Sequence, residues 1–322
     1  MLLFVSASLD TLASDYRALT EACGVLDRSE RGKLALSGAD AAAFLQGQVT
    51  NDVEGLAPGA GCYAAFLTPK GKMLGDLRIL NAGDELLLDT ERVALQALFN
   101  MIRHFSLGYQ VALHKRTLER GMLSLIGPEA VARAGAADLP AEEHAHIPDS
   151  VGAVPVRAIR TQLGIDLLCD SANTDALRAG LVDAGAVPVS ETAVECLRVE
   201  LGRPRYGVDL DETVIPQEAG LNERAVSFTK GCYVGQETVA RLFYRGKPNR
   251  QLRGLQLSGP ADAGDELHFE GRTVGRITSV ATSPRFGPIA LAFVRREAPV
   301  GSAVSVGAAD ELTAEVIELP FR

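Results

Sequence analysis

Beyond about Leu242 the chain changes texture, and that change limits its folding choices more than anything else in its 322 residues. Leu252 to Leu257, Glu266 to Phe269, Thr273 to Ala281, Ile289 to Val294 and Leu312 to Leu319 are short β-rich runs. Gly, Pro, Asp and Ser separate them at near-regular intervals. Short strands of this kind are stable only when they close on themselves or pack on a second sheet, so residues 242–322 are expected to form a separate small all-β barrel or sandwich.

Ahead of that boundary, helical and strand periodicities alternate. Leu9, Leu12, Ala13, Tyr16, Leu19 and Ala22 recur at steps of three and four, which predicts a helix closed by Gly24. Lys33 to Leu36 reads as a strand and Asp40 to Leu45 as a short helix. Tyr63 to Leu67 and Met73 to Leu80 read as strands joined by the turn formers Pro69-Lys70-Gly71-Lys72. A strand at Glu85 to Asp89, a helix at Glu91 to Phe105 and a strand at Tyr109 to Leu113 complete the succession. The same order restarts at Leu118, ending in helices at Thr174 to Ala184 and Glu191 to Leu201. The expected fold class is therefore α+β, with two successive α+β units at residues 1–115 and 116–241 and the barrel at 242–322. This length accommodates two or three cores.

A formal net charge of -9 argues against an extended nucleic-acid surface or an anionic membrane as partner. It leaves room for a small anion held by a local arginine cluster. No run approaches the roughly 18 apolar residues of a membrane span, and Met1 to Leu12 lacks a basic segment and a cleavage site, so a cytoplasmic protein is expected. The five cysteines, Cys23, Cys62, Cys169, Cys196 and Cys232, include no C-x-x-C pair, so no metal site is expected.

Two segments could carry chemistry. In Arg198-Val-Glu200-Leu-Gly202 the charged residues lie about 200° apart around an ideal helix and do not pair directly. Glu200 either faces solvent or stands at a pocket wall, where a carboxylate suits the adjacent N–H donors of an aminopyrimidine such as a pterin. In Lys230-Gly231-Cys232-Tyr233-Val234-Gly235-Gln236-Glu237 a helix is expected from Tyr233 onward. Cys232 then either packs in a tight turn or sits before a helix N-terminus beside Lys230, where both would favour a thiolate. Arg241, Arg245, Lys247, Arg250 and Arg253 form a basic cluster, either a solvated face or a contact for an anionic group.

This second segment resembles the K-G-C-[FY]-x-G-Q-E signature of the YgfZ-type folate-binding proteins, relatives of the glycine-cleavage aminomethyltransferase. Weaker similarities are Gly47-Gln48-Val49-Thr50-Asn51-Asp52, Pro69-Lys70-Gly71-Lys72-Met73, Arg198-x-Glu200-x-Gly202 and Val274-Gly275-Arg276-Ile277-Thr278-Ser279. The resemblance implies a ring of two α+β units and a barrel with tetrahydrofolate in a central opening. It implies that Glu200, Arg198, Asp76, Lys230, Tyr233, Gln236 and Arg241 hold the folate, with Cys232 as the reactive thiol. It further implies a role in iron-sulfur cluster assembly or repair, with client or assembly proteins as partners.

One departure bears on catalysis. The aminomethyltransferases carry two consecutive aspartates after the hairpin turn, and here Gly75-Asp76 stands at that point. With glycine in the first position, ordinary aminomethyl transfer is expected to be lost unless Asp76 takes over. The alternatives are thus a folate-dependent one-carbon transferase and a non-catalytic docking module.

Overall fold

The computed structural model describes residues 2–307 and 312–322, with side chains from residue 11 onward. The chain begins with helix α1 (Leu2–Glu21), longer at its start than the periodicity indicated, and strands β1 (Gly24–Asp27) and β2 (Gly32–Ser37). Then come α2 (Ala41–Gln46), β3 (Gly61–Leu67), β4 (Met73–Asn81), β5 (Glu85–Thr90), α3 (Leu95–Phe105) and β6 (Ala112–Lys115). The second succession comprises β7 (Arg120–Ile126), α4 (Ala130–Ala134), β8 (His146–Val151), β9 (Val154–Thr161), β10 (Gly164–Asp170), α5 (Thr174–Asp183), β11 (Val187–Pro188) and α6 (Glu191–Glu200). Two further helices, α7 (Asn222–Ala225) and α8 (Gln236–Arg245), lead into the barrel.

One sheet has the order β3-β4-β5-β2-β6 and the other β11-β1-β7-β10-β9-β8. The first strand of the chain is thus a strand of the second sheet, paired antiparallel with β7 and parallel with β11. Residues 1–115 therefore do not all lie in the first unit. Residues after α6 cross back in turn: Tyr206, Leu210, Val214, Leu221 and Val239 join the core of the first sheet.

The barrel strands β12 (Arg250–Leu257), β13 (Glu266–Phe269), β14 (Arg272–Ser283), β15 (Gly287–Arg295), β16 (Ala303–Val306) and β17 (Leu312–Ile317) close in the order β12-β15-β14-β13-β16-β17. The expected α+β class, two sheet-rich units followed by a closed barrel, is what the chain forms. Strand β16 escaped the sequence reading because Ala-Val-Ser-Val is too short and too mixed to show a period. Alternation fills the barrel interior with Leu255, Leu267, Ile277, Ala292, Val304 and Val316, while Leu252, Ile289, Leu291 and Phe293 point outward into the core of the first sheet.

In each sheet one face is apolar and packs on its own helices, and the other is charged. On β4, Leu77 and Ile79 are buried in the core, whereas Asp76 and Arg78 leave from the opposite face. On β7 and β10, Leu123, Leu125, Ile165 and Leu167 face their core, and Ser124 and Asp166 face the other way. These two polar faces meet across a cavity.

Candidate functional site

The cavity encloses about 310 Å³ between the sheets and is completed by α6 and the loop after it. Seven arginines border it, Arg28, Arg31, Arg78, Arg198, Arg203, Arg205 and Arg224, against five carboxylates, Asp76, Glu91, Glu143, Asp166 and Glu195. A chain of net charge -9 has thus gathered an excess of positive charge at one internal place.

Most of these charges hold one another. Arg78 bridges the sheets, donating to Asp89 on one and at 2.6 Å to Asp166 on the other. Ser124 also donates to Asp166. Burial alone would raise the carboxyl of Asp89, but Arg31 and Arg78 overcome it and hold the group at about 2. Arg205 joins Glu91, Glu191 and Glu195. Arg198 donates to Glu195, to the carbonyl of Arg203, to Asp209 and to Ser279 of β14, so it ties α6 to the barrel while lining the cavity.

Asp76 differs from the other carboxylates. Tyr63 donates to it at 2.6 Å, and it makes no ion pair among the described residues. Burial pushes its carboxyl up to about 6, against the pull of the Tyr63 hydrogen bond and the more distant Arg31. A carboxyl that titrates near neutrality on a cavity wall can give or take a proton under physiological conditions.

Gly75 has a different place from the one expected. A Cβ built there would lie 2.5 Å from the ring of Phe66 and 2.8 Å from Cβ of Ala94, so a side chain at residue 75 would point into the core. The glycine is a packing residue and removes no acid from the cavity. Adjacent strand positions face opposite ways, and the acid on the cavity side is Asp76.

Glu200 lies outside the cavity lining. It is buried, but Tyr16 donates to one oxygen at 2.8 Å while Ser283 and the Cys196 thiol donate to the other. Its carboxylate fastens α1 and the barrel to α6, and the cavity wall does not include it. The α6 carboxylate that does face the cavity is Glu195, one and a half turns earlier on the other side of the helix.

The signature segment lies on the first unit, outside the cavity lining. Lys230 donates through Nζ to the carbonyls of Gln46, Val49 and Asn51, and its ring neighbour is Tyr233, 5.2 Å away. Burial lowers this ammonium to about 8. Its charge also acts on the half-buried Cys62, whose thiol burial pushes up to about 12. Helix α8 starts at Gln236 behind a left-handed Gly235, four residues past Cys232, which removes the expected N-terminal cap on the thiol. Cys232 itself is exposed. Gln236 accepts the Tyr233 amide, and Arg241 projects from an exposed turn of α8. Of the residues singled out from sequence, Asp76 and Arg198 reach the cavity, and Glu200, Lys230, Cys232, Tyr233, Gln236 and Arg241 do not border it.

Sequence reasoning missed Tyr63, Arg31, Arg78, Glu91, Glu195, Arg224 and His144. Only Arg78 left a signal, since Asp76-x-Arg78 puts two charges on one face of an otherwise apolar strand. His144 is buried in a left-handed backbone conformation (φ 70°), and burial and Arg78 push it down to about 4. Among the described residues no group of His, Cys, Asp and Glu side chains is arranged to hold a metal ion, and no helix is long and apolar enough to cross a membrane.

Comparison with known proteins agrees with this architecture. Over 313 residues the chain is 30% identical to an aminomethyltransferase of Synechococcus sp., covering 91% of this chain and 85% of that one. It is 29% identical over 311 residues to a putative chloroplastic transferase of Arabidopsis thaliana, covering 92% and 71%. The glycine cleavage system aminomethyltransferase T from Bartonella henselae superimposes with a TM-score of 0.87 at 25% identity, over 97% of this chain and 89% of that one. Residues 250–322 match the glycine cleavage T-protein C-terminal barrel domain. Residues 4–230 match the GCVT N-terminal domain, and with both parts present in order the chain belongs to the GCVT-like family.

Proposed function

We propose that the protein binds a reduced folate in the cavity between its two sheets and acts as a YgfZ-type factor in the assembly or repair of iron-sulfur clusters in client enzymes. One observation carries the folate reading: a cavity bordered by seven arginines and five carboxylates in an acidic protein. A folate has an aminopyrimidine rich in N–H donors and, at the far end, carboxylates. Asp76 and Glu195 are acceptors for the first, and the arginine excess suits the second. The likeness to aminomethyltransferases over nearly the whole chain supports the same assignment.

The iron-sulfur reading rests on the signature segment. Cys232 is an exposed free thiol on a loop clamped to the first unit, a place that a partner protein can reach. One thiolate cannot ligate a whole cluster, since four cysteines are the usual requirement, so the client or an assembly protein supplies the other ligands. The five unpaired cysteines suit a reducing compartment such as the cytoplasm.

Titration with tetrahydrofolate tests the folate reading. Asp76→Asn and Glu195→Gln are each expected to weaken binding by roughly tenfold, the worth of a charge-assisted hydrogen bond. Unchanged affinity in both variants would remove the folate from this cavity. For the cluster role, Cys232→Ala is expected not to restore iron-sulfur enzyme activities in cells lacking the protein, and full restoration would refute it.

A second reading, folate-dependent one-carbon transfer, is favoured by Asp76, whose raised carboxyl is suited to acid-base work. Formation of methylenetetrahydrofolate from an aminomethylated lipoyl carrier, lost in Asp76→Asn, would establish it.

A further inference from the structure

Helix α8 presents two exposed aromatic rings, Phe243 at 47% and Tyr244 at 67%. They do not stand alone. Phe228, from the loop that carries Cys232, stacks on Phe243 with ring centroids 3.8 Å apart, and Tyr244 meets Phe243 edge-on at 5.1 Å. The whole chain has 11 Phe, 6 Tyr and no Trp, so three rings gathered at one surface place form a concentrated apolar patch. On the same helix and just beyond it, Arg241, Arg245 and Lys247 are exposed, and none has an ion pair among the described residues. The one carboxylate of α8, Glu237, leaves them with an excess of positive charge in a chain of net charge -9. The patch is also pre-formed. Lys230 clamps the loop to the first unit, and the Phe228 stack fastens the same loop to α8. Cys232 follows Phe228 by four residues, so their Cα atoms are at most about 14 Å apart.

We propose that this face docks an acidic partner protein, whose carboxylates meet Arg241, Arg245 and Lys247 while an apolar side chain packs on Phe243 and Tyr244. Docked there, the partner brings its own cysteines beside Cys232. The inference rests on the iron-sulfur reading and adds to it the surface used and the chemistry of the partner. Aromatic and arginine side chains are the usual anchors of a protein interface, and unpaired cations speed the approach of an acidic surface. An acidic chain repels an acidic partner everywhere else, so the basic face also fixes where the partner lands.

The test measures disulfide exchange between the full-length protein and three synthetic peptides, each with one cysteine activated as its thionitrobenzoate disulfide. One peptide carries glutamates and a phenylalanine, the second lysines and a phenylalanine, the third glutamates and a serine. Attack by the Cys232 thiolate forms the protein–peptide disulfide and releases coloured thionitrobenzoate, and Cys232→Ser supplies the background from the other thiols. At low salt the first peptide is expected to react on the order of tenfold faster than the second, with the gap closing as salt is raised. Arg245→Glu combined with Lys247→Glu is expected to invert that order, and Tyr244→Ser to narrow the lead of the first peptide over the third. In cells lacking the protein, the charge-reversed variant, shown by its thermal melt to be folded, is expected not to restore iron-sulfur enzyme activities. Equal rates for the peptides, an order unchanged by charge reversal, or full restoration by the charge-reversed variant overturns the docking face. So does tight binding of a single-stranded oligonucleotide that the charge reversal abolishes, which would assign the face to nucleic acid. In each of these cases the iron-sulfur reading still stands on the failure of Cys232→Ala to restore activity. If Cys232→Ala restores it fully, that reading falls and takes the docking face with it.

Discussion

At the residue scale the pair Gly75-Asp76 shows how far one position matters. Met73 to Leu80 was readable as a strand, and a strand sends neighbouring side chains to opposite faces. Which face meets the ligand was not readable, because it depends on a second sheet whose strands lie tens of residues away in sequence. The same holds for α6: the sequence pointed to Glu200 and not to Glu195, and only Tyr16, 184 residues from Glu200, and Ser283 reveal that Glu200 is a tether. Asp76 yields a stability test. Its carboxyl lies at about 6 in the folded protein against an ordinary 3.8, so the folded state holds the proton more tightly than the unfolded one. Stability therefore falls as pH rises from about 4 to about 6, by roughly 3 kcal/mol for a shift of about two units. Asn keeps an acceptor for the Tyr63 hydroxyl without the buried charge. Asp76→Asn is expected to melt several degrees higher than wild type at pH 7.5 and to show no such gain at pH 4. Equal melting differences at both pH values would show that Asp76 carries no ionisation penalty.

At the scale of elements, the motifs that stood out in the sequence turn out to be one structural joint. The carbonyls of Gln46, Val49 and Asn51 receive the Lys230 ammonium, Val234 donates its amide to Gly47, and Gly71 of the β3–β4 hairpin packs against Thr238. The signature was legible as a unit, but the loop carbonyls that its lysine clamps were not, because they lie about 180 residues earlier in the chain. The two glycines flanking Cys232-Tyr233-Val234 also differ. Gly235 has φ 86°, and a Cβ there would lie 2.5 Å from the carbonyl oxygen of Thr68. Nothing lies within 4 Å of a Cβ at Gly231. Gly235→Ala is therefore expected to destabilise the protein by roughly 1 to 3 kcal/mol in urea unfolding, from the left-handed backbone and the clash together. Gly231→Ala is expected to stay within about 0.5 kcal/mol of wild type. A reversed order would mean that the loop does not sit on the hairpin as described.

At the scale of the whole molecule, the three parts were legible as parts, from the change of period after Leu242 and from the two α+β successions, but their interleaving was not. Periodicity names elements and says nothing about which sheet a strand joins, so β1 and the segment after α6 were each assigned to the neighbouring unit. The barrel has a core of its own, as expected of a separate domain, but its outer face is not free. Leu252, Ile289, Leu291 and Phe293 on its outer face, with Phe321 beyond its last strand, belong to the same core as the first sheet. Asp209, buried, takes hydrogen bonds from Arg198 on α6 and from Thr278 and Ser279 on β14. A chain ending at residue 245 would expose that apolar face and strip Asp209 of two hydroxyl donors, leaving Arg198 as its side-chain partner. Ser283 would also be lost to Glu200, which fixes the helix whose other face borders the cavity. Such a truncated chain is expected to lose its cooperative thermal transition and its near-ultraviolet circular dichroism and to bind a hydrophobic dye, while the full chain unfolds in a single step. A truncated chain that melts cooperatively near the full-length temperature and still binds tetrahydrofolate would show that the barrel is an appendage, and that the cavity is held by the two sheets alone.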